Sequence, residues 1–199
     1  MADFRSIAAV GSSIQRYLQL CFEEQPPIAD SDRVANVVLV RTEDLNSEIS
    51  NVITLPALSL FLYRVETNKT MRAAWASVAH REGHAHLPLD LHFLLTAWAE
   101  NAEHEYRILG RAIQSIEDHP ILTGPMLDPL TDWATYEAVQ FYFEDLTTED
   151  VMRTFDSLPV DYKLSIPYLA RIVVMDGTVQ RPDMPVATVI TGLKADGSP

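Results

Sequence analysis

Three imidazoles stand within seven positions, at His80-Arg81-Glu82-Gly83-His84-Ala85-His86. With the Glu82 carboxylate, such a density of ligand atoms would suit zinc or another divalent ion. The spacing matches no standard zinc set and the surrounding residues are polar, so the segment reads as a solvated loop that carries no required metal. His104-Glu105 is followed by Tyr106-Arg107-Ile108, so the His-Glu-x-x-His helix of a metalloprotease is not formed. Glu103 and His104 side by side have the chemistry of an acid–base pair. On the exposed side of a helix they read as a surface or capping interaction instead. Cys21 falls on an apolar helical stripe and reads as a buried, inert thiol rather than a nucleophile. Gly11-Ser12-Ser13 sits inside a helix, without the strand-to-helix elbow that a catalytic serine needs. The seven glycines never gather into a phosphate-cradling run. These readings predict no catalytic residue, no cofactor site and no metal site, hence a non-enzymatic chain.

The composition bounds the class. With 47% hydrophobic and 22% charged residues over 199 positions, the chain has the make-up of one globular domain. We expect that domain over residues 1–177, with a C-terminal tail over 178–199. A single cysteine allows no internal disulfide and suits a reducing compartment. No apolar run approaches the roughly 20 residues of a membrane span. The opening Met-Ala-Asp-Phe-Arg lacks a secretory pattern, so synthesis and assembly in the cytoplasm without membrane insertion are expected. Asn68-Lys69-Thr70 has the form of a glycosylation acceptor and, lacking that route, reads as accidental.

A formal net charge of −13 argues against nucleic acid or anionic lipid as a partner. The charge is unevenly placed. Residues 100–150 carry twelve acidic side chains against Arg107 and Arg111. Residues 61–85 carry Arg64, Lys69, Arg72 and Arg81 against Glu66 and Glu82. Either both are solvated faces, or they are complementary surfaces that approach each other between neighbouring subunits.

The elements that would position these residues follow from periodicity. Residues 3–24 place Phe4, Ile7, Gly11, Ile14, Leu18 and Cys21 at helical spacing, and Pro26-Pro27 ends the helix. Strands are predicted at Val34 to Arg41, at Leu58 to Val65, at Leu89 to Ala99 and at Glu137 to Phe143. The polar residues from Glu66 to His86 predict a long excursion, and residues 42–56 carry no clear pattern. The strongest helix is Asn101 to Asp118, with Ala102, Tyr106, Leu109, Ala112, Ile113 and Ile116 as its buried stripe. Asn101 caps it and His119-Pro120 stops it. Gly110 inside it costs about 1 kcal/mol relative to alanine, which suggests close packing there. Thr148 caps a short acidic helix. Lys163 to Met175 is a long strand in which Leu164, Ile166, Tyr168, Ala170, Ile172 and Val174 share a face, and Pro167 inside it suggests a sheet edge. The fold class is α+β: a single domain, with a mixed or antiparallel sheet packed by an N-terminal helix and a long central helix.

Three stretches together carry a family resemblance. They are Leu58-x-Leu60-Phe61-Leu62-Tyr63; then Pro88-Leu-Asp-Leu91-x-x-Leu94-Leu95-Thr96-Ala97-Trp98 running into Glu103-His104 and Leu109-Gly110-Arg111-Ala112, with His119-Pro120; then Leu146-x-x-Glu149-Asp150, followed by Tyr162-Lys163-Leu164-Ser165-Ile166-x-Tyr168. In this order and spacing, over roughly residues 5–176, the chain resembles the core domain of the cap (tail-terminator) proteins of extracellular contractile injection systems, the phage-tail-like particles. Pro167 stands where a residue able to complete the ladder is expected, and some relatives carry a further C-terminal extension.

The resemblance implies a tail-terminator-like fold and a structural role. Copies of the chain would form a ring, implied to be a homo-hexamer, that ends the inner tube and joins it to the sheath. Its partners would be itself and the inner-tube and sheath proteins, in a particle that is released or anchored elsewhere. The surfaces for those contacts are expected at Phe61, Tyr63, Arg64, Arg72, Arg81 and Pro167. The alternatives are a baseplate or adaptor component of such a particle and, from another class, a small metal- or ligand-binding cytosolic protein.

Overall fold

The computed structural model describes residues 3–29, 33–45, 52–74 and 85–178. Among these residues six strands form one mixed sheet: β1 (Asn36–Val40), β2 (Ala57–Thr67), β3 (His86–Trp98), β4 (Ile121–Thr123), β5 (Ala138–Phe143) and β6 (Ser165–Asp176). Their spatial order is β1-β2-β3-β6-β5-β4. β1 and β2 run parallel and every other neighbouring pair is antiparallel. A parallel pair needs a crossover connection between its strands rather than a tight hairpin.

The helices α1 (Ser6–Glu24) and α3 (Ala102–Asp118) cover one face of the sheet. Val10, Ile14, Leu18 and Phe22 of α1 meet Ile108, Leu109, Ala112 and Ile116 of α3 over Leu58, Leu60, Leu91, Phe93, Leu95 and Tyr168. Each large side chain buried there contributes roughly 1.5–3 kcal/mol. A smaller cluster lies on the opposite face, where Val151 and Phe155 of α4 (Thr148–Asp156) pack with Leu45 and Ile53 over Val40, Ala57, Phe61, Leu94 and Trp98. Both faces of β2 and β3 are therefore covered at this end, which accounts for their nearly unbroken apolar sequences.

Asn101 caps α3 as expected, its side chain accepting from the His104 N–H at 2.9 Å. Other expectations are corrected. Thr147, not Thr148, caps α4, accepting from Asp150 N. Phe4 is exposed, and the stripe of α1 continues through Phe22 while Cys21 is only half-buried. In α3, Ala102 and Tyr106 are exposed, and Ile108 and Ser115 take buried places instead. The polar excursion starts later than predicted, because β2 runs on to Thr67 and α2 (Lys69–Ala74) follows it. The Asn68 side chain caps α2 by accepting from Met71 N, and its Nδ2 donates to both Asp90 oxygens. The amide that resembled a glycosylation acceptor is thus buried and engaged. A β-carbon on Gly110 would meet nothing within 4 Å, so that glycine marks no close packing within the chain. A β-carbon on Gly11 would lie 3.3 Å from the Leu39 side chain, and one on Gly177 would lie 3.3 Å from Ala85.

Pro167 is not at an edge. β6 lies between β3 and β5, and Pro167 is buried opposite Leu94. Phe143 pairs with Tyr168, so Glu144 comes opposite Pro167, and Glu144 N donates to the Pro167 carbonyl at 3.0 Å. The N–H and C=O of one residue point to the same side of a strand. The N–H that proline lacks would have faced Glu144, past the end of β5, so the ladder with β3 loses nothing.

Candidate interface on the sheet

Two bulges reshape the sheet beyond the cover of α4. The register between β2 and β3 shifts between Leu62 and Arg64, which makes Tyr63 the extra residue. The register between β3 and β6 shifts at Asp90, opposite Arg171 and Ile172. This second shift changes the phase of β6, so that Val173 is buried where alternation predicted Ile172 and Val174.

In the half of the sheet that carries these bulges, the face shared with α4 turns polar. Glu144, just past β5, sits at its centre. Its Oε2 accepts from the Tyr63 hydroxyl at 3.1 Å, and its Oε1 accepts from Arg64 Nη2 at 3.2 Å. His92 Nδ1 lies 2.8 Å from the same Oε1. Arg64 Nη2 also lies 3.1 Å from His92 Nδ1, so the three side chains close on one another. Arg64 also reaches Glu66 at 3.5 Å. His92 Nε2 is buried and lies 3.8 Å from Glu66 Oε2, with no hydrogen bond to a described residue. Burial first, and the Glu144 charge second, push the Tyr63 hydroxyl well above the usual tyrosine range, so it stays a donor.

A second group continues the face. Asp90 binds Asn68 and lies 4.0 Å from Arg171 Nε, while Arg171 donates to the Tyr142 hydroxyl, its Cζ 5.7 Å from the centre of that ring. Three side chains converge on the Glu144 carboxylate, so the arrangement is suited to holding shape and presenting charge. Among the described residues, no group of three or more His, Cys, Asp or Glu side chains is placed to hold a metal ion.

Of the residues expected to make contacts, the fold brings Tyr63 and Arg64 together here, with Arg64 exposed. Arg72 is exposed on α2. Phe61 and Pro167 are buried within the chain and offer no surface there. Arg81, His80 and His84 lie outside the described residues, as does the tail from residue 179. His86 opens β3 and contacts Asp176 of β6 through Nδ1. The basic and acidic segments that were expected to meet between subunits also meet within one, at Arg64 and Glu144. The sequence reading missed His92, Glu144, Asp90 and Arg171. A signal existed for two of them: Asp90 and His92 are polar residues at strand spacing inside an otherwise apolar run, which marks one face of β3 as unlike the other.

A model of the family described as the Pvc16 N-terminal domain matches residues 9–188. Among solved structures, the fold is similar to the PVC sheath/tube terminator in its extended state, from a cryo-EM structure of an extracellular contractile injection system. The TM-score is 0.52 at 12% identity, covering 94% of this chain and 64% of that one. At this identity the likeness is one of fold, and the chain spans less than two thirds of the terminator's length. No curated protein matches the sequence.

Proposed function

The chain belongs to the Pvc16 N-terminal domain family, and from that membership we propose that it is a structural cap of a contractile injection system. Copies of it close as a ring, a homo-hexamer, over the last layer of the inner tube and join that layer to the sheath. The role is non-catalytic, and assembly takes place in the cytoplasm. The single observation that carries this reading is the family match over residues 9–188, and the terminator-like fold supports it.

The polar half of the sheet face suits such work. Capping demands a rigid surface and contacts that close by rotation rather than propagate. Glu144 ties β2, β3 and the end of β5 into one unit, while Arg64, Glu66 and Arg171 keep charge available at its surface. Arg64, Arg72 and Arg81 are the proposed contact residues toward acidic surfaces of neighbouring subunits, tube or sheath.

The experiment is electron microscopy of particles assembled with and without this chain, together with light scattering of the purified protein alone and with tube and sheath proteins. The reading expects rings on tube ends and, without the chain, tubes of uncontrolled length. A protein that stays monomeric with tube and sheath present, and is missing from purified particles, overturns it. A copy located at the baseplate end would assign the adaptor role instead.

A further inference from the structure

Among the described residues β1 ends the sheet, and it carries Val37-Val38-Leu39-Val40, a run without charge or proline and rich in branched residues. An exposed strand of this kind is a template for adding another chain. Asn36 N donates to Pro56 O at 3.0 Å, so Asn36, Val38 and Val40 turn their backbone groups toward β2. Val37 and Leu39 turn theirs toward the side away from β2.

At Val37 that side is filled by α1. Gln15 Nε2 donates to the Val37 carbonyl at 2.8 Å, and the Val37 N–H donates to Gln19 Oε1 at 2.8 Å. Positions 15 and 19 lie one above the other on a helix, which lets two side chains serve one residue. Gln19 Nε2 in turn donates to Glu23 Oε1 at 3.1 Å, one turn further on. That bond fixes which way the Gln19 amide faces, with its oxygen toward Val37. Together the two glutamines reproduce the acceptor and donor that an added strand would offer.

We propose that Gln15 and Gln19 form an edge guard, closing β1 against strand addition by a second copy of this chain. A second copy is the relevant partner because every subunit presents the same apolar strand, and antiparallel pairing of β1 with itself is an isologous contact. The guard directs association to other surfaces, and it holds whatever particle the subunit serves.

The test compares the full chain with Gln15→Ala/Gln19→Ala, and with that double variant carrying Leu39→Pro as well. Sedimentation velocity at micromolar concentration reads size, and hydrogen exchange reads the Val37 amide. The double variant is expected to lose about fivefold to tenfold of Val37 protection and to form species larger than those of the unmodified chain. Leu39→Pro should return the size to normal, since it removes an outward N–H and blocks an added strand while Val38 and Val40 keep their bonds to β2. Should proline unfold the strand, Leu39→Lys serves the same purpose at a partly exposed position. An unchanged size distribution in the double variant overturns the proposal. So does association that neither substitution at Leu39 reverses, because exposed core rather than β1 would then be responsible.

Discussion

Arg64 and Glu144 stand 80 residues apart in the chain and 3.2 Å apart in the fold, within one subunit. The pair joins the bulged part of β2 to the end of β5, across β3 and β6. Arg64 therefore supports the monomer as well as offering charge outward. Arg64→Glu places a carboxylate between Glu66 and Glu144 and should cost about 1 kcal/mol, a figure kept small because the guanidinium is 43% accessible. Urea unfolding measures it, and Arg64→Glu with Glu144→Arg should recover part of the loss. Arg72→Glu should leave the unfolding midpoint unchanged, which makes it the cleaner probe of assembly.

Glu144 is the more costly residue to lose. Its side chain is only 11% accessible and receives the Tyr63 hydroxyl, Arg64 and His92. Glu144→Ala leaves these donors facing a void and should cost about 2–3 kcal/mol. Glu144→Gln should cost less, because one oxygen still accepts. Equal stability of both variants with the unmodified chain would mean that the cluster is not formed in solution.

The two helical glycines should respond oppositely to alanine. Gly110 is exposed with open space at its β-carbon position, so Gly110→Ala should raise stability by about 0.5–1 kcal/mol. Gly11→Ala should gain less or lose, because the added methyl meets Leu39 at 3.3 Å. Thermal melts decide both. A Gly110→Ala chain that melts higher yet fails to assemble would place that surface of α3 against a neighbour.

Tyr168 is fully buried, and its hydroxyl has no hydrogen-bond partner among the described residues. Burial, with a smaller contribution from Glu117, pushes its ionisation up to about 12. A raised value in the folded state favours the neutral form there. The associated stability is complete below the unfolded value of about 10 and is lost as pH rises through about 12. Stability should thus fall between these limits, and less steeply in Tyr168→Phe. At pH 7 that variant should be neutral or up to about 1 kcal/mol more stable, since it removes an unsatisfied buried group. A clear loss on chemical denaturation would reveal a partner for the hydroxyl.

Local chemistry made much of the architecture legible. Asn101 before the periodic run to Ile116 marks a capped helix whatever surrounds it, because the cap needs only the next three residues. The dense apolar run at Leu58 to Leu62 announces a strand covered on both faces. The ordered stretches from Leu58 to Tyr168 carried the family. The residues that form the polar cluster were harder to find, because each is unremarkable in its own segment and the Glu144 group joins segments up to 81 positions apart.

Composition and short-range periodicity, which act over a few neighbouring residues, were enough to set the α+β class, the long capped helix and the acidic balance of the chain. Strand order had no such local signal. It arose from which apolar faces pack best over α1 and α3, and that packing placed β6 inside the sheet, with Pro167 harmless where an edge had been expected. Pairing also created the bulges at Tyr63 and at Arg171–Ile172. A single extra residue in a strand of period two sends every later side chain to the other face, so Val173 is buried in place of its neighbours. Phe61 became core for a related reason: α4, nearly ninety positions later in the chain, folds over it. Only that three-dimensional arrangement decided which half of the sheet face packs against α4 and which half carries charged side chains.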